Sequence, residues 1–252
     1  MCAMSTALPR TLAALLASAA LLLAACGDDA QPEASDPASA ADPTSESPTT
    51  DTDAGDDATQ GGACEYPTAG DPAVEGVEPP PEEPSVSGDV AATLTTSVGE
   101  FGLTLDAEGT PCTVNSFVSL VEQDYFDGTQ CHRLTDYKAS GGQAGLKVLQ
   151  CGDPTGSGAG GPGYTIPDEL TGEETYPAGT LAMAKTSMPD SGGSQFFIVY
   201  DDSALPPDYT VFGTVDRATI RAVADVAKDG SNPPTDGAPN TTVTVEEASV
   251  TP

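Results

Sequence analysis

Hydrophobic and polar residues follow regular patterns mainly in the second half of the chain. Phe101, Leu103 and Leu105 alternate with polar residues across 100–105, the period-two pattern of a strand with one buried face. The β-branched residues of 90–97 predict a partner strand, and Val98-Gly99 between them suits a hairpin turn. The period then changes. Val114, Phe117, Val118 and Val121 share one helical face, which predicts a helix over 113–124 with Thr113 as its N-cap. Short apolar runs at 129–134, 147–150, 180–184, 194–200 and 211–215 predict further strands. A second helix over 218–228 sets Ile220, Val223, Ala224 and Ala227 on one side and is capped by Asp216; 242–245 predicts a last strand. Many short strands with two separate helices predict a mainly β domain: a closed antiparallel barrel capped by helices, not alternating βαβ units.

Upstream, the pattern stops. Residues 27–89 hold 17 Asp and Glu, no Lys or Arg, and abundant Pro, Ala, Ser and Thr. So few large apolar residues cannot offset ordering entropy, so this stretch is expected to be a disordered, self-repelling tether. Its end near 63–68 is expected to dock on the domain, because Cys64 lies there. Residues 1–25 have the form of an export signal, with Arg10 as the only charge and an apolar run from Thr11 to Ala25. Leu23-Ala24-Ala25-Cys26 resembles a bacterial lipobox, in which the chain is cut before Cys26 and that thiol receives lipid. The alternative is an ordinary buried cysteine in an uncleaved helix. Lipidation predicts an extracytoplasmic protein tethered to the cell membrane without spanning it. Three parts result: signal 1–25, lipidated cysteine and acidic linker 26–89, and a folded domain 90–252. That domain holds 22 acidic against 7 basic residues, and the chain's net charge is −31, which argues against nucleic acid as a partner.

If Cys2 leaves with the signal and Cys26 takes lipid, Cys64, Cys112, Cys131 and Cys151 remain, an even set that suggests two disulfides in an exported protein. Zinc is the rival, but the chain has no C-x-x-C pair and a single histidine, so no metal is expected. Residues 150–164 contain six glycines and two prolines, too many for a helix. Gly156, Gly158 and Gly161 spell G-x-G-x-x-G, yet Pro162, Gly163 and Pro167 follow, so no helix opens to face a pyrophosphate. The run is expected to be a shaped loop leaving the strand that carries Gln150.

Taken in order, Asn115-Ser116-Phe117, Tyr125-Phe126-Asp127-Gly128-Thr129, Cys131-His132-Arg133-Leu134, Gln150-Cys151-Gly152-Asp153-Pro154, Gly160-Gly161-Pro162-Gly163-Tyr164, Gly193-Ser194-Gln195-Phe196-Phe197-Ile198 and Val211-Phe212-Gly213 resemble the cyclophilin-type peptidyl-prolyl isomerases from about Thr93 to Val245. The resemblance implies an eight-stranded closed barrel with a helix over each open end. It also implies a groove on the outside that binds proline-containing peptide without a cofactor. Arg133 matches the family's catalytic arginine, Gln150 its groove glutamine and Phe197 the floor of its proline pocket. Gln195, Val148, Ala184, Leu205 and Tyr209 fall at other groove positions. The chemistry is consistent: rotation about X–Pro meets a barrier of about 18–20 kcal/mol set by amide resonance. A cation hydrogen-bonded to the prolyl nitrogen as it pyramidalises stabilises the twisted state with no nucleophile or metal. His132, adjacent to Arg133 on a strand, would face away from the groove and serve a structural role.

The chain departs from the family at several positions. Lys147 stands where a pocket aromatic is usual, Val148 for methionine, Ala204 for tryptophan, Tyr209 for histidine and Lys185 for asparagine. The 136–146 loop is longer than typical and brings Leu146 or Tyr137 within reach of the pocket. The resemblance also implies that the strands around Cys131 and Cys151 are antiparallel neighbours. These two cysteines would then bond and leave Cys64 to Cys112, pinning the linker's end to the barrel. The expected protein is a monomeric, lipid-anchored isomerase assisting the folding of exported proteins. The alternative is a non-catalytic cyclophilin-like module that binds proline peptides without turnover, or a scaffold lipoprotein that uses the acidic tether.

Overall fold

The computed structural model describes residues 63–138 and 145–251; the signal, Cys26 and most of the acidic linker lie outside these. Twelve elements follow in order: β1 (Asp89–Thr96), β2 (Gly99–Asp106), α1 (Pro111–Glu122), β3 (Arg133–Thr135), β4 (Val148–Cys151), β5 (Thr180–Met183), β6 (Phe196–Val199), β7 (Val211–Val215), α2 (Arg217–Lys228), β8 (Ser231–Asn232), β9 (Asp236–Pro239) and β10 (Val245–Thr251). All described strand pairings are antiparallel, in the order β10-β1-β2-β7-β5-β6-β4-β3-β9-β8.

This architecture corrects the expected closed eight-stranded barrel. The sheet has ten strands and its ladder is open, ending at β10 and β8. At β3 the other edge is taken by β9, through Leu134 opposite Gly237 and Thr135 opposite Asp236. The segment just before β3 meets the start of β10 only through an isolated bridge, Gln130 with Thr244, flanked by Cys131 N to the Val243 carbonyl at 2.9 Å and Val245 N to the Thr129 carbonyl at 2.8 Å. The β8–β9 hairpin that makes this possible needs Gly237, where an added Cβ would fall 2.3 Å from the Asn232 carbonyl carbon. The last strand also moves, from the expected 242–245 to Val245–Thr251 along β1. The first hairpin turns at Ser97-Val98, one residue earlier than expected, because Thr96 pairs with Gly99, whose φ of +125° glycine tolerates.

Helix α1 starts at Pro111, so Thr113 is not its N-cap; Thr110 holds that position and offers no side-chain cap. The N–H groups of Cys112 and Thr113 in the first turn, which have no acceptor within the helix, are satisfied from far along the chain. Glu169 accepts from Cys112 N at 3.0 Å through one carboxylate oxygen and from Thr113 N at 2.8 Å through the other. The hydroxyl of Thr113 is buried without a partner. Asp216 does cap α2, accepting from Thr219 N at 2.7 Å.

Alternation along β4, β5 and β6 divides the apolar residues between the two faces of the sheet. Leu149, Leu181, Phe196 and Ile198 enter the main core with Phe101, Leu105, Phe117, Phe126 and Phe212. Val148, Ala182, Phe197 and Val199 emerge on the opposite face and form a second cluster with Tyr176, joined by Leu146, Ala184, Leu205, Tyr209 and Val211. These central strands are therefore covered on both sides, which is why their sequences read as continuous apolar runs.

Residues 63–88, on the linker side of the boundary drawn from composition, form a strap held against the domain. A disulfide joins Cys64 to Cys112, and a second joins Cys131 to Cys151, the pairs the resemblance implies. Tyr66 donates to the Cys112 carbonyl at 3.0 Å and meets Tyr164 edge-on at 5.6 Å. Asn115, buried in α1, reaches Tyr66, the Pro81 carbonyl and Ser85.

The cap on α1 is testable. Glu169→Ala leaves two partly buried N–H groups without an acceptor and is expected to lower stability by about 1–2 kcal/mol. Thr113→Val removes an unsatisfied buried hydroxyl and is expected to be neutral or stabilising. Urea midpoints measured at unchanged slope decide both; a large loss in Thr113→Val would restore the expected cap.

Candidate active site

Strand pairing sets three side chains in a row. Arg133 on β3 is opposite Gln150 on β4, and Gln150 is opposite Phe197 on β6. All three emerge on the second apolar face, since their neighbours Leu134, Leu149, Phe196 and Ile198 enter the core. The Cys131–Cys151 disulfide flanks this row, two residues before Arg133 and one after Gln150.

The row borders a pocket of about 130 Å3 lined by Arg133, Leu146, Val148, Gln150, Ala184, Lys185, Phe197, Leu205 and Tyr209. Arg133 and six of the seven expected groove residues are thus brought together; the seventh, Gln195, lies alongside on the wall of an adjoining cavity. Phe197 and Tyr209 meet at right angles, with ring centroids 5.6 Å apart. Tyr176 buttresses both. Its hydroxyl donates to the Tyr209 carbonyl at 3.1 Å and accepts from Tyr209 N at 3.0 Å.

The polar groups form one chain of hydrogen bonds. Asp236 accepts from Arg133 Nε at 2.7 Å and from Nη2 at 2.9 Å, a bidentate pair. Arg133 Nη1 donates to Gln150 Oε1 at 3.1 Å, and Gln150 Nε2 donates to Gln195 Oε1 at 2.9 Å. Gln195 Nε2 then reaches the carbonyls of Gly158 and Gly160 in the glycine loop, at 3.1 and 2.9 Å. The guanidinium can only donate and the carbonyls can only accept, so both amides have one orientation. Two of the five guanidinium N–H groups are left without a partner among the described residues, at a pocket wall built mainly of apolar side chains.

Charge follows from these contacts. The hydrogen bond from Arg133 holds the Asp236 carboxyl below its ordinary 3.8, and that carboxylate in turn raises the guanidinium further. His132, just before β3, sets its ring against Gly158 of the glycine loop. Burial pushes its pKa below 6.5 and both ring nitrogens lack partners, so it is a neutral packing group at pH 7. Burial opposes ionisation of Asp153 beneath the glycine loop. The Thr155 hydroxyl and the N–H groups of Gly160, Thr155 and Gly158 outweigh it and hold the carboxyl low. That carboxylate is the post around which the loop folds.

The two unusual lysines are accommodated. Lys147 is paired with Asp136 and does not line the pocket; Leu146 does. Lys185 Nζ lies 3.4 Å from Asp168 and 3.3 Å from Asp208, and with its side chain only 3% exposed it contributes mainly its stem to the wall. Sequence reasoning missed Asp236 and Tyr176. Asp236 follows Arg133 by 103 residues on a strand of four, and no pattern marks it.

The family described as "Cyclophilin type peptidyl-prolyl cis-trans isomerase/CLD" matches residues 91–250. A "Probable peptidyl-prolyl cis-trans isomerase B" of Mycobacterium leprae is 43% identical over 201 residues, covering 73% of this chain and 65% of the relative. The protein of that name from Mycobacterium tuberculosis H37Rv is 43% identical over 200 residues, so the chain spans 63% of its length. Among solved structures, a cyclophilin type peptidyl-prolyl cis-trans isomerase of Cryptosporidium parvum superposes with a TM-score of 0.55 at 25% identity, covering 65% of this chain and 98% of that one. The family match, the level of identity and the shared fold agree: this chain belongs to the cyclophilin-type peptidyl-prolyl cis-trans isomerases.

Proposed function

We propose that the domain catalyses cis-trans rotation about X–Pro bonds in peptide segments seated across the row Arg133, Gln150 and Phe197. The observation that carries this reading is a guanidinium fixed by Asp236 and Gln150 at the rim of an apolar pocket of proline's dimensions. The proline ring packs on Phe197 between Val148, Leu146 and Tyr209. Gln150 holds the peptide backbone. A free N–H of Arg133 donates to the prolyl nitrogen as its lone pair leaves conjugation, so the bond forms only as the amide twists. Stabilisation confined to the twisted state lowers the barrier without tightening the ground state. The guanidinium is already oriented, so no reorganisation is needed at that moment. A related structure of the Cryptosporidium parvum protein was determined in the presence of the dipeptide Ala-Pro, which supports proline peptides as the ligand class.

The same proposal places the protein outside the cytoplasm, held to the membrane by lipid on Cys26 and assisting exported chains as they fold. Leu23-Ala24-Ala25-Cys26 supports the anchor, and two disulfides support an oxidising compartment.

Catalysis is tested by exchange NMR on an Ala-Pro peptide. Arg133→Ala is expected to lower kcat/KM by about 10²–10³-fold with the fold intact; an unchanged rate would overturn the mechanism. Arg133→Lys is expected to recover little, because a point charge cannot bond Asp236 and Gln150 together and still face the prolyl nitrogen.

The Asp236 pair predicts the acid limb. A depressed carboxylate contributes at any pH above its unfolded value, and the contribution is lost as pH falls through the lower folded value. Activity of the parent is therefore expected to stay level as pH falls to the ordinary carboxylate range near 3.8, and to drop only below it. Asp236→Asn is expected to remove that limb and cost about tenfold in kcat with KM nearly unchanged.

A further inference from the structure

The strap lies outside the segment that matches the family, yet it reaches the groove. Thr68 bridges Tyr164; Ala69 N donates to the Gly163 carbonyl and Ala73 N to the Gly161 carbonyl, both at 2.8 Å; and Thr165 N returns to Pro67 at 2.8 Å. The strap thus adds an irregular strand to the far edge of the glycine loop. Pro72 packs so closely that a Cβ on Gly163 would meet it at 3.1 Å.

Between strap, glycine loop and residues 184–195 lies a cavity of about 650 Å3. It shares Gln150, Ala184 and Lys185 with the proline pocket, so the two form one groove. Its wall is built of glycines, small side chains and the hydroxyls of Thr155, Ser157, Thr186 and Ser191, and it has room for a long side chain. Only two ionisable carboxylate or amine side chains border it, Asp71 and Lys185. Lys185 is paired with two carboxylates, Asp168 and Asp208, which leave that cluster one negative charge in excess. Asp71 has no ion pair among the described residues. Among the residues that line the cavity, Asp71 on the strap therefore supplies the unpaired carboxylate, next to the site where proline would sit, and the excess charge of the Lys185 cluster has the same sign.

From this arrangement we infer that the strap makes the cavity a recognition subsite for a basic side chain, Lys or Arg, a few residues from the substrate proline, with Asp71 as its counter-charge. The inference rests on the reading of the groove as a proline-peptide site. Such a side chain would lay its stem along the small residues of the loop and direct its charged head to Asp71, with hydroxyls to accept its remaining protons.

The test uses Ala-Pro peptides of one length, each carrying a single Lys or Glu two or three residues to either side of the proline, with turnover read by exchange NMR and binding by calorimetry. One Lys position is expected to exceed the all-alanine peptide in kcat/KM or affinity by about three- to fivefold at low salt, with Glu there falling below it. Asp71→Asn is expected to bring the Lys-to-alanine ratio to one. Glu75→Gln, a strap carboxylate that does not border the cavity, is expected to preserve it. A Lys preference that survives Asp71→Asn, or falls equally in Glu75→Gln, would overturn the inference in favour of a general negative field. Equal handling of Lys and alanine peptides would overturn it outright. Absence of turnover on every peptide would count against the isomerase reading alone, since calorimetry still reports the Lys preference.

Discussion

Arg133 opposite Gln150, and Gln150 opposite Phe197, is a register set by backbone pairing before any side chain is considered. A slip of one residue at β4 would turn Gln150 and Val148 into the core and bring Leu149 and Cys151 out to the surface. Two things resist that slip. The sheet is apolar on both faces, so either misplacement exposes or strands a side chain, and the Cys131–Cys151 bond fixes the two strands beside the row. The groove depends on this register more than on any individual contact within it.

What could be read from the sequence and what could not divides along the same physical line. Strands and helices with local periodicity, such as β2, α1, β7 and α2, stand within a few residues of their expected limits, because alternation and helical spacing are local signals. The groove residues were legible only through ordered motifs; hydrophobic patterning alone leaves Phe197 indistinguishable from its core neighbours Phe196 and Ile198. Asp236, Glu169 and the β8–β9 hairpin were not legible. Each acts on a partner far away in sequence, and a lone carboxylate in a polar loop carries no sign of which donor it will meet. The open ladder follows from the same blindness, since nothing in 236–239 announces a strand of four residues.

The departures at Lys147 and Lys185 show how charge can enter a groove without altering its chemistry. Each lysine arrives with its own carboxylate, Asp136 for one and Asp168 with Asp208 for the other, so the pocket retains its apolar side chains and the guanidinium of Arg133, which keeps free N–H groups beside its pair with Asp236. A chain of net charge −31 has carboxylates to spare for such pairing. The same surplus leaves Asp71 unmatched on the strap.

The hydrogen-bonded chain from Asp236 to the glycine loop has a polarity, and this has a consequence for occupancy. Each amide gives its proton onward in one direction, and the last acceptors are the carbonyls of Gly158 and Gly160. A visiting peptide carbonyl can take the second proton of the Gln150 amide, which has no acceptor among the described residues, and leave the bond to Gln195 in place. One amide therefore serves two ends: one proton steadies a loop some ten residues along the chain through Gln195, and the other is kept for the visitor, so the groove need not be dismantled to be filled.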